Sequence, residues 1–397
     1  MPLNNRDFVN LAALSCKQKI MPEYNIQMVD LKGQYTKIKE QVDKAIFNVI
    51  DSTAFIKGPE VKAFKEELES YLKVKHVIPC GNGTDALQIA LMALGLKPGD
   101  EVITANFTFA ATVEVIGLLN LIPVFVDVDK ATFNIDVDAL EKAITPKTKA
   151  IIPVHLFGQC ANMEAVMNIA KKHNLFVIED TAQAIGADYT FLNGDVKKAG
   201  TIGDIGTTSF FPSKNLGCYG DGGALFTNDD ELGKRLEAIV NHGMYQRYYH
   251  DEIGVNSRLD TIQAAILRVK LPYLDSYSAA RKKAATYYNN AFASIEQIET
   301  PIIDQQSTHV FHQYTLKLSG VDRDELVLFL QEKGIPAMVY YPVPLHQQKA
   351  YVRPEFKDEN YPITMELCKS VISLPMHTEL DEKQLKYITE SIKEFFK

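Results

Sequence analysis

The sequence predicts an α/β protein, a seven-stranded, mostly parallel sheet with helices on both faces, plus a smaller C-terminal α+β domain. Three observations predict it. From about Tyr71 to Asn228, short β-branched runs alternate with amphipathic stretches, the pattern of parallel strands joined by helical crossovers. The runs are apolar throughout, so both sheet faces must be covered. The chain has 397 residues, more than the roughly 100–200 of one domain, and its texture changes after Arg258.

Residues 1–25 lack periodicity and read as an N-terminal arm, with Met21 as a second candidate start. Residues 26–270 form the large domain. Its strands are His76–Cys80, Glu101–Ala105, Ile122–Asp127, Ala150–His155, Leu175–Asp180, Thr207–Phe211 and Gly223–Thr227. Helical patterns Thr84–Leu94, Thr108–Leu119 and Met163–His173 lie between the earlier ones. A long charged helical pattern, Leu259–Ala293, is broken at Pro272 and leads into the small domain, residues 271–397. There His309–Leu318 reads as a strand, and Asp322–Lys333 and Asp381–Phe396 as helices.

With 50 acidic against 42 basic residues the net charge is −8, the wrong sign for a dedicated nucleic-acid binder. No run reaches the roughly 18 apolar residues of a membrane span, and Met1–Ile20 is too polar for a signal peptide, which predicts a cytoplasmic protein with no membrane partner. Cys16, Cys80, Cys160, Cys218 and Cys368 are too scattered for a disulfide framework or a zinc site, and the histidines show no ligand spacing. Reduced thiols and no metal are expected.

Three constellations could carry chemistry. The first is Gly81-Asn82-Gly83-Thr84-Asp85-Ala86, between a strand and a helix. It satisfies the G-x-G-x-x-A dinucleotide pattern, but Asp100 opens the next strand instead of closing it, so it belongs at the wrong edge of the sheet for a ribose contact. A nicotinamide-dependent oxidoreductase is thereby disfavoured. What remains is a glycine turn that presents the amides of Thr84 and Asp85 to an anion, or a plain tight turn with Thr84 or Asp85 as the helix cap.

The second is Ile178-Glu179-Asp180-Thr181-Ala182-Gln183, where Asp180 closes an apolar strand and should face the ligand crevice. A carboxylate there needs a cation, such as a protonated heterocyclic nitrogen; capping the next helix is the alternative. The third is Ser209-Phe210-Phe211-Pro212-Ser213-Lys214-Asn215, leading to the glycine-rich 220–223. An apolar setting can lower the pKa of Lys214 and let it form a Schiff base with a carbonyl, although most lysines are solvated surface charges.

Together, Gly83-Thr84-Asp85, Asp180-x-x-Gln183 and Ser209-Phe-Phe-Pro-Ser-Lys214-Asn215 resemble the DegT/DnrJ/EryC1/StrS family of pyridoxal-phosphate sugar aminotransferases, from about Ile26 to the C-terminus. The resemblance implies a fold-type I, aspartate aminotransferase-like fold. It implies that Lys214 tethers pyridoxal 5'-phosphate, Asp180 pairs with its ring nitrogen, Gln183 faces its ring hydroxyl and Phe109 stacks on the ring. Ser209 and the Gly83–Asp85 amides would hold the phosphate, and Asn256 would reach the phosphate of a neighbouring subunit, making a homodimer with shared sites. One subgroup of the family carries histidine at the lysine position and dehydrates its substrate, so Lys214 favours transamination.

Tyr245–His250, Phe311–Tyr314 and Tyr340–His346 mix aromatics with histidine or arginine, which suits a nucleotide sugar or an aromatic core. The resemblance points to Arg258, or else Arg247, for a sugar carboxylate, with His312, Tyr314, Tyr341 and His346 as further substrate contacts. It implies amination at C3 of UDP-linked 3-keto-N-acetylglucosaminuronate with glutamate as donor, feeding surface polysaccharide such as lipopolysaccharide O-antigen. Alternatives are a dTDP-3-keto-6-deoxyhexose substrate and a non-catalytic, cofactor-binding sensor.

Overall fold

The computed structural model describes residues 25–397, so the arm expected over 1–25 lies, except for its last position, outside the described residues. First come α1 (Leu31–Ser52) and α2 (Pro59–Leu72). Next are β1 (His76–Cys80), α3 (Gly83–Ala93), β2 (Glu101–Ala105), α4 (Ala111–Leu118), β3 (Ile122–Val126), α5 (Val137–Lys142), β4 (Thr148–Ile152), α6 (Met163–His173) and β5 (Phe176–Asp180). A hairpin of β6 (Asp188–Thr190) and β7 (Val196–Lys198) precedes β8 (Ile205–Ser209), β9 (Gly223–Thr227) and α7 (Asp230–Ile239). A second hairpin, β10 (Met244–Gln246) with β11 (Tyr249–His250), leads to α8 (Thr261–Lys270) and α9 (Leu274–Phe292). The chain closes with β12 (Ile298–Glu299), β13 (Tyr314–Leu318), α10 (Arg323–Glu332), α11 (Pro362–Ser370), β14 (Val371–Leu374) and α12 (Glu382–Phe395).

The seven expected strands pair in one sheet, in the order β1-β9-β8-β5-β4-β2-β3. β8, β5, β4, β2 and β3 run parallel, while β9 is antiparallel to both its neighbours. Successive strand residues face opposite sides, and each side is apolar. Val102, Ile152 and Ile178 pack with Leu91, Val115 and Leu236 of α3, α4 and α7; Ile103, Ile151 and Val177 pack with Met163, Val166 and Ala170 of α6. Each such buried aliphatic contributes about 1.5–3 kcal/mol of hydrophobic free energy, so the two layers hold the sheet rigid under the site.

Pro153, with no N–H for the ladder, ends β4 at Ile152, and the chain touches the sheet again through a bridge from Val154 to Asp180. α1 and α2 lie ahead of the alternating stretch and add to the predicted architecture. Their apolar stripes, Ile38, Val42 and Val49, then Phe64, Leu68 and Leu72, are narrow and set among charges. A 3₁₀ turn at Leu271–Tyr273, holding Pro272, separates α8 from α9.

β12, β13 and β14 form a small antiparallel sheet covered by Tyr288 and Phe292 of α9, Leu326 and Leu330 of α10 and Ile388 and Ile392 of α12. The strand expected over His309–Leu318 keeps only Tyr314–Leu318, because Phe311 sits at φ 48°, a left-handed conformation outside the β region. Cys80, Cys160, Cys218 and Cys368 are buried free thiols, and Cys16 lies outside the described residues. No helix among the described residues is long and apolar enough to cross a membrane.

Candidate active site

β1, β2, β4, β5 and β8 all end at one edge of the sheet, the edge where open α/β sheets bind ligands. The segments leaving that edge line a cavity of about 850 Å³. It gathers Gly83, Thr84, Asp85, Phe109, Asp180, Gln183, Ser209 and Lys214 from the large sheet and His312 and Tyr341 from the C-terminal part of the chain.

Lys214 hangs in the loop between β8 and β9. Its N–H donates to the Phe211 carbonyl at 2.8 Å, and neighbouring Asn215 donates through Nδ2 to the Val310 carbonyl at 3.0 Å. The side-chain amine makes no hydrogen bond or ion pair with any described residue. Withdrawal from water lowers its pKa to about 8, against the opposing pull of the Asp180 carboxylate. Such an amine is partly neutral at physiological pH and so is nucleophilic.

Asp180 closes β5. Its Oδ2 accepts from Thr112 Oγ1 at 2.9 Å and its Oδ1 from the Ala182 N–H at 3.1 Å, which orients the carboxyl group. Behind it, Glu179 is fully buried and accepts from the N–H groups of Gly200, Ile202 and Gly203 at 2.9, 2.6 and 2.6 Å. The Ala161 N–H donates to His155 Nδ1 at 3.0 Å, which leaves the ring proton on Nε2 to bond Glu179 at 2.9 Å. Burial alone would raise the Glu179 pKa; His155 and the backbone donors outweigh it and hold it below the ordinary value.

Gln183 accepts from the Phe157 N–H at 2.7 Å, so its Oε1 is assigned by a backbone donor and its Nε2 faces the Tyr341 hydroxyl at 3.2 Å. Phe109 is 58% exposed at the cavity rim, its ring centroid 6.4 Å from that of Tyr341.

At the start of α3, Asn82 is the cap: its Oδ1 accepts from the Asp85 N–H at 2.8 Å. The expected cap at Thr84 or Asp85 is thus corrected, and the Asp85 amide drops out of the anion cradle, leaving those of Gly83 and Thr84. A Cβ on Gly83 would stand 2.7 Å from Ser209 Cβ, so only glycine lets this turn close on the end of β8. Asp85 instead accepts from Ser257 Oγ at 2.6 Å, and Ser257 Oγ accepts from the Gly81 N–H at 2.9 Å. This ties the segment of Asn256 and Arg258 to the glycine turn.

Two expected substrate contacts lie elsewhere. Tyr314 is fully buried in the small-sheet core and donates its hydroxyl to Asn289 Oδ1 at 2.6 Å; its neighbour Gln313 lines the cavity instead. Both ring nitrogens of His346 are engaged, Nδ1 with Asn106 at 2.7 Å and Nε2 with Asp358 at 2.9 Å, so it anchors its loop to the segment after β2. Arg247 lies on the exposed β10–β11 hairpin, stacked 4.9 Å over Tyr248. Asn256 is exposed and Arg258 half-buried, both outside the lining of this cavity. Neither caps a helix or forms an ion pair among the described residues; the residue preceding α8 is Asp260. Thr112, Asn82, Gln313, Tyr340 and the Glu179–His155 pair are site features to which the sequence reading assigns no role, although several of them lie inside its motifs.

The site fits pyridoxal phosphate: a free amine and an oriented acid share one wall, a turn closed by Gly83 with two free amides suits the phosphate, and an exposed ring waits at the rim. A fold-type I pyridoxal-phosphate enzyme is what this sheet and site define. Its family model agrees over residues 36–393, and the chain belongs to the DegT/DnrJ/EryC1/StrS aminotransferase family. It is 45% identical over 367 residues (92% of this chain, 99% of the relative) to UDP-2-acetamido-2-deoxy-3-oxo-D-glucuronate aminotransferase of Pseudomonas aeruginosa. It is 48% identical over 375 residues (94% and 99%) to the pleiotropic regulatory protein of Geobacillus stearothermophilus. The solved structure of NtdA from Bacillus subtilis with bound cofactor PMP matches with a TM-score of 0.83 at 32% identity, over 91% of this chain and 82% of that one. The chain is a pyridoxal-phosphate-dependent aminotransferase.

Proposed function

We propose that the protein transfers an amino group from glutamate to C3 of a UDP-linked 3-keto-N-acetylglucosaminuronate, in the cytoplasm and as a homodimer with shared sites, for surface polysaccharide synthesis. Amino transfer rests on one observation, the unpartnered Lys214 amine on the same cavity wall as Asp180. The substrate rests on the Pseudomonas aeruginosa relative and on Arg258, a cation with no acidic partner among the described residues, beside the glycine turn. The exposed Tyr245, Tyr248, Tyr249 and Ile253, on the segment leading to Asn256, support a second subunit covering this face.

When bound, pyridoxal phosphate supplies an electron sink through which nitrogen passes between two carbon skeletons. Lys214 would tether it, and its amine when free would hold or move a proton at Nζ. Asp180, oriented by Thr112, would pair with a protonated ring nitrogen. Gly83 and Thr84 would donate N–H groups to the phosphate, helped by the α3 dipole. Phe109 and Tyr341, on the cavity wall, would help exclude water.

A panel of UDP- and dTDP-linked 3-keto sugars incubated with the protein and glutamate, read by mass spectrometry, tests this. An amine on the UDP-linked uronate is the expected product. Turnover of the dTDP-linked 6-deoxy sugar alone would move the protein to that second substrate class. Retained cofactor with no reaction toward glutamate or any sugar would favour a regulatory protein, as the Geobacillus relative is named.

A further inference from the structure

Against the loop that carries Lys214 lies α8. Its Lys270 is 1% exposed, stands outside the cavity lining and has no carboxylate partner among the described residues. Withdrawal from water lowers its pKa to about 8, so at neutral pH it remains mostly a cation. A cation buried without an acid is costly, and an apolar side chain of similar length would avoid that cost.

What Lys270 holds is the return of the Lys214 loop. Its Nζ donates to the Gly217 carbonyl and stands 5.5 Å over the ring of Tyr219. Two turns earlier along α8, Gln263 accepts from the Tyr219 N–H at 2.8 Å and donates to the Tyr219 carbonyl at 3.4 Å. The helix itself is braced. Arg268 donates to Glu67 of α2 at 2.9 and 2.6 Å, and Ile266 packs with Ile38 and Val42 of α1.

From Gly217 the contact passes straight to Lys214. A Cβ on Gly217 would stand 2.4 Å from the Pro212 carbonyl oxygen and 2.8 Å from that of Phe211, so the glycine backbone lies directly on this stretch. The Phe211 carbonyl is the one that accepts from the Lys214 N–H at 2.8 Å, and the Cys218 N–H donates to the Phe210 carbonyl at 2.8 Å. Asn215 ties the loop to Val310 through its Nδ2 at 3.0 Å. The backbone around Lys214 is thus held by α8 and by the segment ahead of β13, while its amine is left free. Placement matters here, because a shift of about 1 Å in a reacting group can cost about a hundredfold in rate.

We propose that Lys270, helped by Gln263, is a positioning residue: by gripping the return of the loop it seats Gly217 on Phe211 and Pro212 and so fixes where the Lys214 amine meets the cofactor. This rests on Lys214 as the tethering amine, as proposed above.

The test mixes the cofactor-free, full-length chain with pyridoxal phosphate and follows the absorbance of the lysine-bound cofactor. Amide hydrogen exchange over 210–219 and steady-state kinetics of the loaded enzyme complete it. Lys270→Met, which keeps the length and loses the donor, should slow attachment about tenfold or more and lower kcat by a similar factor, with each KM within about twofold. Exchange at the Lys214 and Cys218 amides should quicken, while α12 keeps its wild-type rates. Ile388→Ala, a buried truncation in the small-sheet core away from the loop, should lower the melting temperature and leave attachment and kcat unchanged. Wild-type attachment and kcat in Lys270→Met, or an equal loss in Ile388→Ala, would overturn the proposal. Should Lys270→Met fail to fold, Gln263→Leu decides: a loss of about threefold in attachment and kcat at constant KM supports the grip, and no change overturns it. Lys214→Ala that still links the cofactor and turns over would remove the tethering role, and this proposal with it, a result separate from every outcome at Lys270.

Discussion

Thr112 Oγ1 donates to Asp180 Oδ2 across 2.9 Å, joining the first turn of α4 to the last residue of β5. With the Ala182 N–H on the other oxygen, it sets the plane in which the acid meets its partner. Thr112→Val keeps the shape and removes the donor. Turnover should fall about tenfold, the worth of one hydrogen bond to a charged group, with cofactor still bound; Asp180→Asn should fall further, by about 10² or more. Steady-state kinetics alongside the cofactor absorbance would check both.

The Lys214 amine leads to a pH dependence that can be read without turnover. In the cofactor-free protein it titrates near pH 8, against 10.5 in the unfolded chain. Between these values the unfolded chain binds more protons, so stability rises with pH across that window, and the cost of burying the charge is present in full below it. Lys214→Met removes that cost along with all turnover. At pH 7 the cofactor-free variant should exceed wild type in stability by at most about 3 kcal/mol, less where water reaches the amine, and the gap should close as pH rises from 8 to 10.5. Denaturant titrations across that range measure it.

Glu179 carries the opposite sign. Its folded pKa lies below the unfolded value of 4.5, so its contribution is complete above that pH and is lost as acid protonates the folded carboxylate. Glu179→Gln leaves His155 and three backbone donors poorly matched in the core, and should cost about 3 kcal/mol at neutral pH. Thermal unfolding should show the difference from wild type shrinking below pH 4.5.

Gly83→Ala tests the anion cradle. Alanine suits the first turn of a helix, but its Cβ would meet Ser209 Cβ at 2.7 Å, so the turn must back away from β8. Cofactor affinity should fall about tenfold or more, and the melting temperature of the cofactor-free protein should fall too, by the equivalent of the roughly 1–3 kcal/mol that an overpacked contact costs. Dialysis followed by absorbance gives the affinity, and calorimetry the melting temperature.

Lys214 and Asp180 were legible because each closes a strand or a glycine-rich loop, and strand direction alone says which edge they reach. Tyr314 was misplaced for a different reason: along β13 alternate residues face opposite sides, and nothing local says that Tyr314 turns into the core while Gln313 faces the cavity. His346 bonds Asn106 across 240 positions, and His155 meets Glu179 across 24, contacts that only the folded sheet creates. Asn82 did carry a signal, a side-chain amide in a glycine turn just ahead of a helix, the usual position of a cap.

β9 runs against both of its neighbours, and that reversal governs where the protein tolerates change. The stretch bearing Lys214 leaves the ladder at Ser209 and rejoins it at Gly223, opposite its own point of departure. Both of its feet are therefore nailed to the same pair of rails. One inserted or deleted residue there, if absorbed by a slip of β9, would turn Leu225 and Phe226 toward each other's layers and break the pairing with β1 as well. Libraries that vary loop length should recover folded, active members from the turn between β6 and β7, and none from 211–222.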